Sequence, residues 1–469
     1  MSNRASLTEG SISHRLFMFA IPILVGNVLQ TLNGSVNSVW IGHFLGEAAL
    51  TASANASIIL FLVLAAMIGA SMAATMLIGQ YLGAHRGHEA KRVVGTSATF
   101  ALTLSVVMAA VGFAICRPVL HLMQTPMPAL EPAVAYTRVI FLALPFMVLY
   151  VFATSVLRGA GDARTPLYFL FLSVGLDIGL NPVFIFGLGP APRLGIAGSA
   201  VATLLAQAIS LVALVTYLYR IRHPLCLHRG ELALLRLDWR IVGVLVGKGV
   251  PLALQMVVAS LSMVLMISLV NRYGIDTASA FGAAVQIWNY IQMPAFAIGM
   301  AVASMAAQNI GAQKWDRVRT ITRIGVLYQF LLTGSIVLLL DLVASHVLGL
   351  FLPRGSAAVQ IAVHLNTVVA WSFVFFGVSL VLFGVVRANG SVFAPLIILV
   401  VALLGVRFPL ALALLGRLHA DAIWWSFPIS SLLSLLLALL YYRFGRWREV
   451  RLIGPAGAVP AGAAAAADP

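Results

Sequence analysis

The chemistry-bearing position in this sequence is Asp177, a carboxyl near the middle of an apolar stretch at about residues 166–187 that is long enough to cross a bilayer as a helix. A charge at that depth costs about 3 kcal/mol, so the group must face water, face the interior of a helix bundle or carry a proton. Asn181 follows one turn later on the same face. Pro182 lacks the N–H that would bond the carbonyl of Ile178, which predicts a bend beside the carboxyl. A carboxyl exposed alternately to two aqueous sides can take up H⁺ from one and release it to the other, while a cationic solute competes for the same oxygens. That competition is the chemistry of ion-coupled exchange; the plainer reading is an interhelical hydrogen bond. Asp341, the other acid read inside a span, falls near the end of its span. It reads as interfacial or ion-paired, with Arg407 as a possible partner.

Amides supply the rest of the polar inventory. Asn27, Gln30, Asn33 and Asn37 recur at helical spacing and form one stripe on the first span. Such amides bridge helices, at about 0.6–2 kcal/mol each, or line a wet cavity. Asn33 and Asn37 are expected to face Asp177. In the second half Gln255, Gln286, Asn289 and Gln292 lie near Trp288 and Tyr290, a combination suited to flat, amphipathic organic cations through stacking and cation–π contact. Each aromatic alone reads equally as packed core or lipid-facing surface.

The elements that must hold these groups follow from composition. The chain has 469 residues, 61% hydrophobic and only 9% charged, with a mean hydropathy of +1.01. So few charges cannot cover a soluble surface. Apolar stretches predict spans at 16–40, 49–80, 93–115, 134–156, 166–187, 197–219, 241–270, 278–305, 321–344, 362–385, 393–415 and 423–443. The polar first dozen residues do not resemble a removable signal peptide. The net charge of +15 concentrates in loops on the side of the termini, the opposite loops holding only Arg117, Arg193, Arg272, Arg354 and Arg417. By the positive-inside rule both termini are cytoplasmic, in a multi-pass protein of the inner (plasma) membrane. The excess charge then reads as orientation and contact with anionic lipids, not as a nucleic-acid surface. Cys116 and Cys226 have neither metal nor redox spacing. Phosphate-binding loops, metal-ligand spacings and nucleophile elbows are missing from the sequence, so no enzyme activity, metal or cofactor is expected beyond a coupling ion, H⁺ or Na⁺.

The sequence also repeats itself at a separation of about 229 residues. Ala20-Ile21-Pro22 matches Gly249-Val250-Pro251, Arg158-Gly159-Ala160-Gly161 matches Arg387-Ala388-Asn389-Gly390, Pro166 matches Pro395 and Gly187 matches Gly416. The expected fold is therefore all-α and polytopic, with twelve transmembrane helices in two six-helix bundles related by a pseudo-twofold axis along the membrane normal. The organisation expected is a segment at 1–15, an N-lobe at 16–219, a basic linker at 220–240, a C-lobe at 241–443 and a tail at 444–469, its Ala/Gly/Pro-rich end from Gly454 to Pro469 read as disordered.

Taken in order, several segments resemble the multidrug and toxic compound extrusion (MATE) family over about residues 15–445. They are Ala20-Ile21-Pro22 through Gly42, Gly79-Gln80-Tyr81-Leu82-Gly83-Ala84, Leu157 to Asp162 with Pro166, Leu180 to Gly187, Leu194 to Gly198, Gln308-Asn309-Ile310-Gly311-Ala312 and Val386 to Gly390. The Gln308–Ala312 stretch looks more DinF-like than NorM-like. The resemblance implies an antiporter exporting small organic cations or amphipathic compounds in exchange for protons or sodium by alternating access, and a monomer is expected. It also implies an N-lobe pocket of Asn33, Asn37, Tyr136, Thr154, Asp177 and Asn181, with Gln30, Gln255, Gln286 and Asn289 added as cleft candidates from the residues themselves. Two departures stand out. Asn37 occupies a position that is acidic in the family, and the span-five pair runs Asp177 then Asn181 instead of the reverse. One carboxylate in place of two favours proton over sodium coupling, since hard cations want several oxygen ligands. A lipid or lipid-linked oligosaccharide flippase is the alternative, disfavoured by the few intramembrane cations, Lys248 and Arg407. A membrane-embedded enzyme or sensor comes third.

Overall fold

A chain that is apolar all round each helix must place those helices in lipid or against one another. The computed structural model describes residues 7–349, 352, 356–450 and 452–453; the tail from Gly454 to Pro469 lies outside the described residues. Twelve helices long and apolar enough to span a membrane follow in order, and no strand occurs among the described residues. They are α1 (Ile12–Leu45), α2 (Glu47–Gly83), α3 (Gly87–Leu122), α4 (Met127–Gly159), α5 (Arg164–Phe186), α6 (Ile196–Arg220), α7 (Trp239–Tyr273), α8 (Ile275–Gly311), α9 (Trp315–Leu348), α10 (Ala357–Ala388), α11 (Phe393–Leu418) and α12 (Asp421–Phe444). The last turn of α7 is 3₁₀, and α11 is π-helical over Val400–Arg407.

The duplication is visible in the backbone as well as in the side chains. Gly46 (φ 83°) separates α1 from α2 as Gly274 (φ 88°) separates α7 from α8. His85 (φ 59°) and Gln313 (φ 57°) turn the chain after α2 and α8, and Gly161 (φ 88°) and Gly390 (φ 91°) do so after α4 and α10. Each pair sits at the sequence repeat, so the two halves turn alike at matching residues.

By contacts the chain forms two compact units, one comprising Val25–Ala253 and the other the residues up to Leu24 together with those from Leu254. The division passes through the middle of α1 and of α7. In the first unit α4 is central, packing on α2, α3 and α6. The opening half of α7 belongs there because α2 and α7 meet backbone to backbone: a Cβ on Gly69 would stand 2.3 Å from the carbonyl oxygen of Gly249. Residues 229–235 form a short 3₁₀ helix docked on α3. Lys91 bonds Glu231 at 2.7 Å, Arg92 pairs with Asp238 at 2.8 Å, and Thr99 donates to the Leu235 carbonyl at 2.8 Å.

In the second unit α8 and α10 are the most enclosed helices, α10 packing on α8, α9 and α12. Their core is aromatic: Phe281, Trp288, Phe373, Trp424 and Phe427 are all buried. The residues before α1 are tied to the end of α8. Gln308 accepts from the Leu7 N–H, Asn309 donates to the Leu7 carbonyl, Lys314 donates to that of Thr8, and Arg317 donates to that of Gly10. The Gln308–Ala312 motif thus has a physical task, which is to hold the entry of α1.

Candidate ion and substrate site

Asp177 and Asn181 lie one turn apart on α5 and are 2% and 0% exposed. Asn33 and Asn37, likewise one turn apart on α1, each donate through Nδ2 to Oδ2 of Asp177 at 2.8 Å. Thr203 of α6 donates its hydroxyl to Oδ1 at 2.9 Å. Asn181 donates to the Oδ1 of Asn37 at 2.9 Å and to the backbone carbonyl of Asp177 at 2.7 Å. Three helices therefore meet around one carboxyl whose side-chain donors are all neutral groups.

The network is closed for the carboxylate and open next to it. Oδ1 of Asn33 and Oδ1 of Asn181 are buried without a hydrogen-bond partner. A buried, unpaired carbonyl oxygen costs about 1–3 kcal/mol, and two of them belong to residues in this network. Tyr136 on α4 stands within electrostatic reach of Asp177. Among the described residues no group of three or more His, Cys, Asp or Glu converges as a metal site.

The remaining candidates behave differently. Gln30 is exposed, and Thr154 is buried but donates to the Val151 carbonyl of its own helix at 2.9 Å. In the other unit, Gln286 and Asn289 are exposed, while Gln255 is buried and donates to the Val392 carbonyl before α11 at 3.1 Å. Trp288, grouped by sequence with a cleft, belongs to the aromatic core: it is 1% exposed and donates to Oδ1 of Asn366 at 3.2 Å. Asn366 in turn donates to Asp341 at 3.3 Å. The pairing considered for Asp341 and Arg407 is not formed. Arg407 bonds Ser430 and Ser431 of α12 and lies over the Phe427 ring, its centroid 4.4 Å away.

Thr203 is the contact that sequence reasoning missed. Ser199, Thr203, Gln207 and Ser210 recur at helical spacing on α6, the same signal that found the amide stripe on α1, but hydroxyls disturb hydropathy too little to attract notice.

Comparison with known proteins agrees with this architecture. The family described as MatE matches residues 22–183 and again 251–413, once in each half of the repeat. The probable multidrug resistance protein YoeA of Bacillus subtilis strain 168 is 35% identical over 447 residues, 95% of this chain and 96% of that protein. The probable multidrug resistance protein YpnP of the same strain is 32% identical, covering 95% and 98%. A solved outward-facing conformation of a multidrug resistance MATE family transporter of the MOP superfamily shares the fold, with a TM-score of 0.87 at 20% identity over 96% of this chain and 99% of that one. A family match in each half, and these relatives along nearly the whole length, establish that the chain belongs to the MATE family of membrane transporters.

Proposed function

We propose that this protein is a secondary antiporter that exports organic cations or amphipathic compounds by alternating access, with Asp177 as the residue that couples export to an inward flow of H⁺. The observation that carries this reading is the convergence of Asn33, Asn37 and Thr203 on a buried carboxyl that has two unpaired amide oxygens beside it. An ionised Asp177 only accepts; a protonated one must also donate. Taking up H⁺ therefore turns one contact around: an amide rotates to present its oxygen, or the new O–H finds Oδ1 of Asn33 or Asn181. Since Asn33 and Asn37 are on α1 and Thr203 on α6, the change in protonation becomes a change in how α1 is held against α5 and α6. Both termini on the cytoplasmic face of the plasma membrane, contact with its anionic lipids and a monomeric state complete this reading, with the Gln308–Ala312 stretch favouring the DinF-like branch.

A second reading is supported by the same unpaired oxygens, because Na⁺ is held by several oxygen ligands and the two amides add to those of Asp177. The test is export of a fluorescent organic cation from vesicles containing purified protein, under an imposed pH gradient and then under a sodium gradient. A response to pH alone is expected, lost in Asp177→Asn with insertion intact; a response to sodium alone would favour the second reading. Wild-type export by Asp177→Asn would remove Asp177 from the mechanism.

A further inference from the structure

The second unit holds a buried charge that the exchange chemistry does not use. Arg407 is 9% exposed and sits well inside α11, with a full turn or more of apolar helix on either side. A cation at such depth is expensive and ordinarily marks a functional partner. Its Nε donates to the Ser430 hydroxyl at 2.8 Å and its Nη2 to the Ser431 hydroxyl at 3.4 Å, while the face of the guanidinium covers Phe427. Hydroxyls and a ring orient the group but bring no negative charge. Among the described residues, Arg407 has no carboxylate partner and its Nη1 makes no hydrogen bond.

The place of this residue in the repeat is informative. Carrying the repeat spacing over from Asp177 lands on Val406, the neighbour of Arg407. Between Pro395, the match of Pro166, and that position lies the π-helical stretch Val400–Arg407. Arg407 closes that stretch and stands one position beyond the match of Asp177. The contacts agree: Asp177 bonds a hydroxyl on α6, and Arg407 bonds hydroxyls on α12, the corresponding helix of the second half. Corresponding helices of the two halves thus carry an acid in one unit and a base, one position along, in the other.

We infer that Arg407, held by Ser430, Ser431 and Phe427, is a recognition site for an oxyanion, so that the exported molecule carries a carboxylate or phosphate in addition to an amphipathic body. A guanidinium with free donors is suited to such a group, which it holds by charge-assisted hydrogen bonds. This rests on the reading of the protein as an exporter of organic molecules but not on how export is driven.

The probe is a xanthene dye used as its free carboxylate and as its ethyl ester, two molecules that differ only at the oxyanion. Binding is read by fluorescence polarisation with protein in phosphatidylcholine nanodiscs and again with phosphatidylglycerol added. The free acid is expected to bind at least about tenfold more tightly than the ester, the size of one charge-assisted bond. Arg407→Leu should abolish that preference while leaving ester affinity within about twofold, and Arg407→Lys should retain part of it. Ser430→Ala, which keeps the charge, should weaken acid binding only, and it guards against misfolding of the first variant. Loss of the preference only when phosphatidylglycerol is present would show that an anionic lipid takes the site in place of the exported molecule and would overturn the assignment to substrate. Equal binding of acid and ester by the wild type in both lipids, or an undiminished preference in Arg407→Leu, would overturn the inference. Asp177→Asn should keep the acid preference, so failure of ion coupling and failure of this site are read separately.

Discussion

Asp177 in the first unit and Asp341 in the second are both acids on membrane-spanning helices, yet their surroundings have opposite characters. Around Asp177 three side-chain donors from two neighbouring helices converge, and two amide oxygens next to it are left open. Asp341 receives Asn366 as well as the exposed Trp371, and the oxygen of Asn366 is occupied by Trp288, which is packed among Phe281, Phe373 and Phe427. The first network leaves two acceptors open; through Asn366 the second runs into close-packed rings that resist rearrangement. A polar residue in a membrane helix is therefore diagnostic of function by what its network leaves unsatisfied, more than by its depth.

The largest effect expected from this contrast is at Asp177 itself: Asp177→Asn should abolish gradient-driven export with little change in the melting temperature of the purified protein, whereas a large loss of stability would make Asp177 resemble Asp341. Next comes packing. Gly249→Val drives methyl groups into the α2 backbone at Gly69 and should cost about 1–3 kcal/mol as overpacking, seen as a lower melting temperature. Asn366→Leu strands the buried Trp288 N–H and should cost about 1–3 kcal/mol without altering the ion dependence of transport; a change in that dependence would place the second network in the mechanism after all. Thr203→Val removes one donor from Asp177, worth about 1 kcal/mol, and should shift the pH profile of export while leaving the fold unchanged.

The smallest effect lies outside the membrane. Lys91, with His228, holds the Glu231 carboxyl down at about 2. Because its folded value is depressed, the docking it contributes is complete above the ordinary carboxylate range and is lost as pH falls towards that value. Proteolytic nicking within 224–238 should stay slow down to about pH 4 and rise in Glu231→Gln at neutral pH; identical nicking of both proteins would show that the ion pair does not hold the linker.

Much of the molecule is legible in its residues alone. The twelve helices follow from length and apolarity because lipid permits few other solutions. The meeting of Asn33 and Asn37 with Asp177 follows from a stripe of amides that has to face something polar. The features that escape the sequence depend on long-range packing. Trp288 reads as a cleft aromatic until Asn366, on a distant helix, is seen to accept its N–H. The partners of Arg407 are serines, too mildly polar to interrupt a span, and the π-helical stretch that ends at Arg407 has no signature in residue type. The Gln308–Ala312 motif is readable as a family mark, but its hold on Leu7 needs the chain folded back.

The contact boundary inside α1 and α7 has a practical consequence for taking the protein apart. A cut at 220–240 severs the chain where the duplicated gene would suggest, yet the amino-terminal fragment would then carry a half-helix, with Leu16, Phe19 and Ile23 on it, whose packing partners were left on the other piece. Neither fragment is a free-standing transporter half. Produced separately they should be cleared by quality control, and produced together they should reassemble, each lending the other the helix end it lacks.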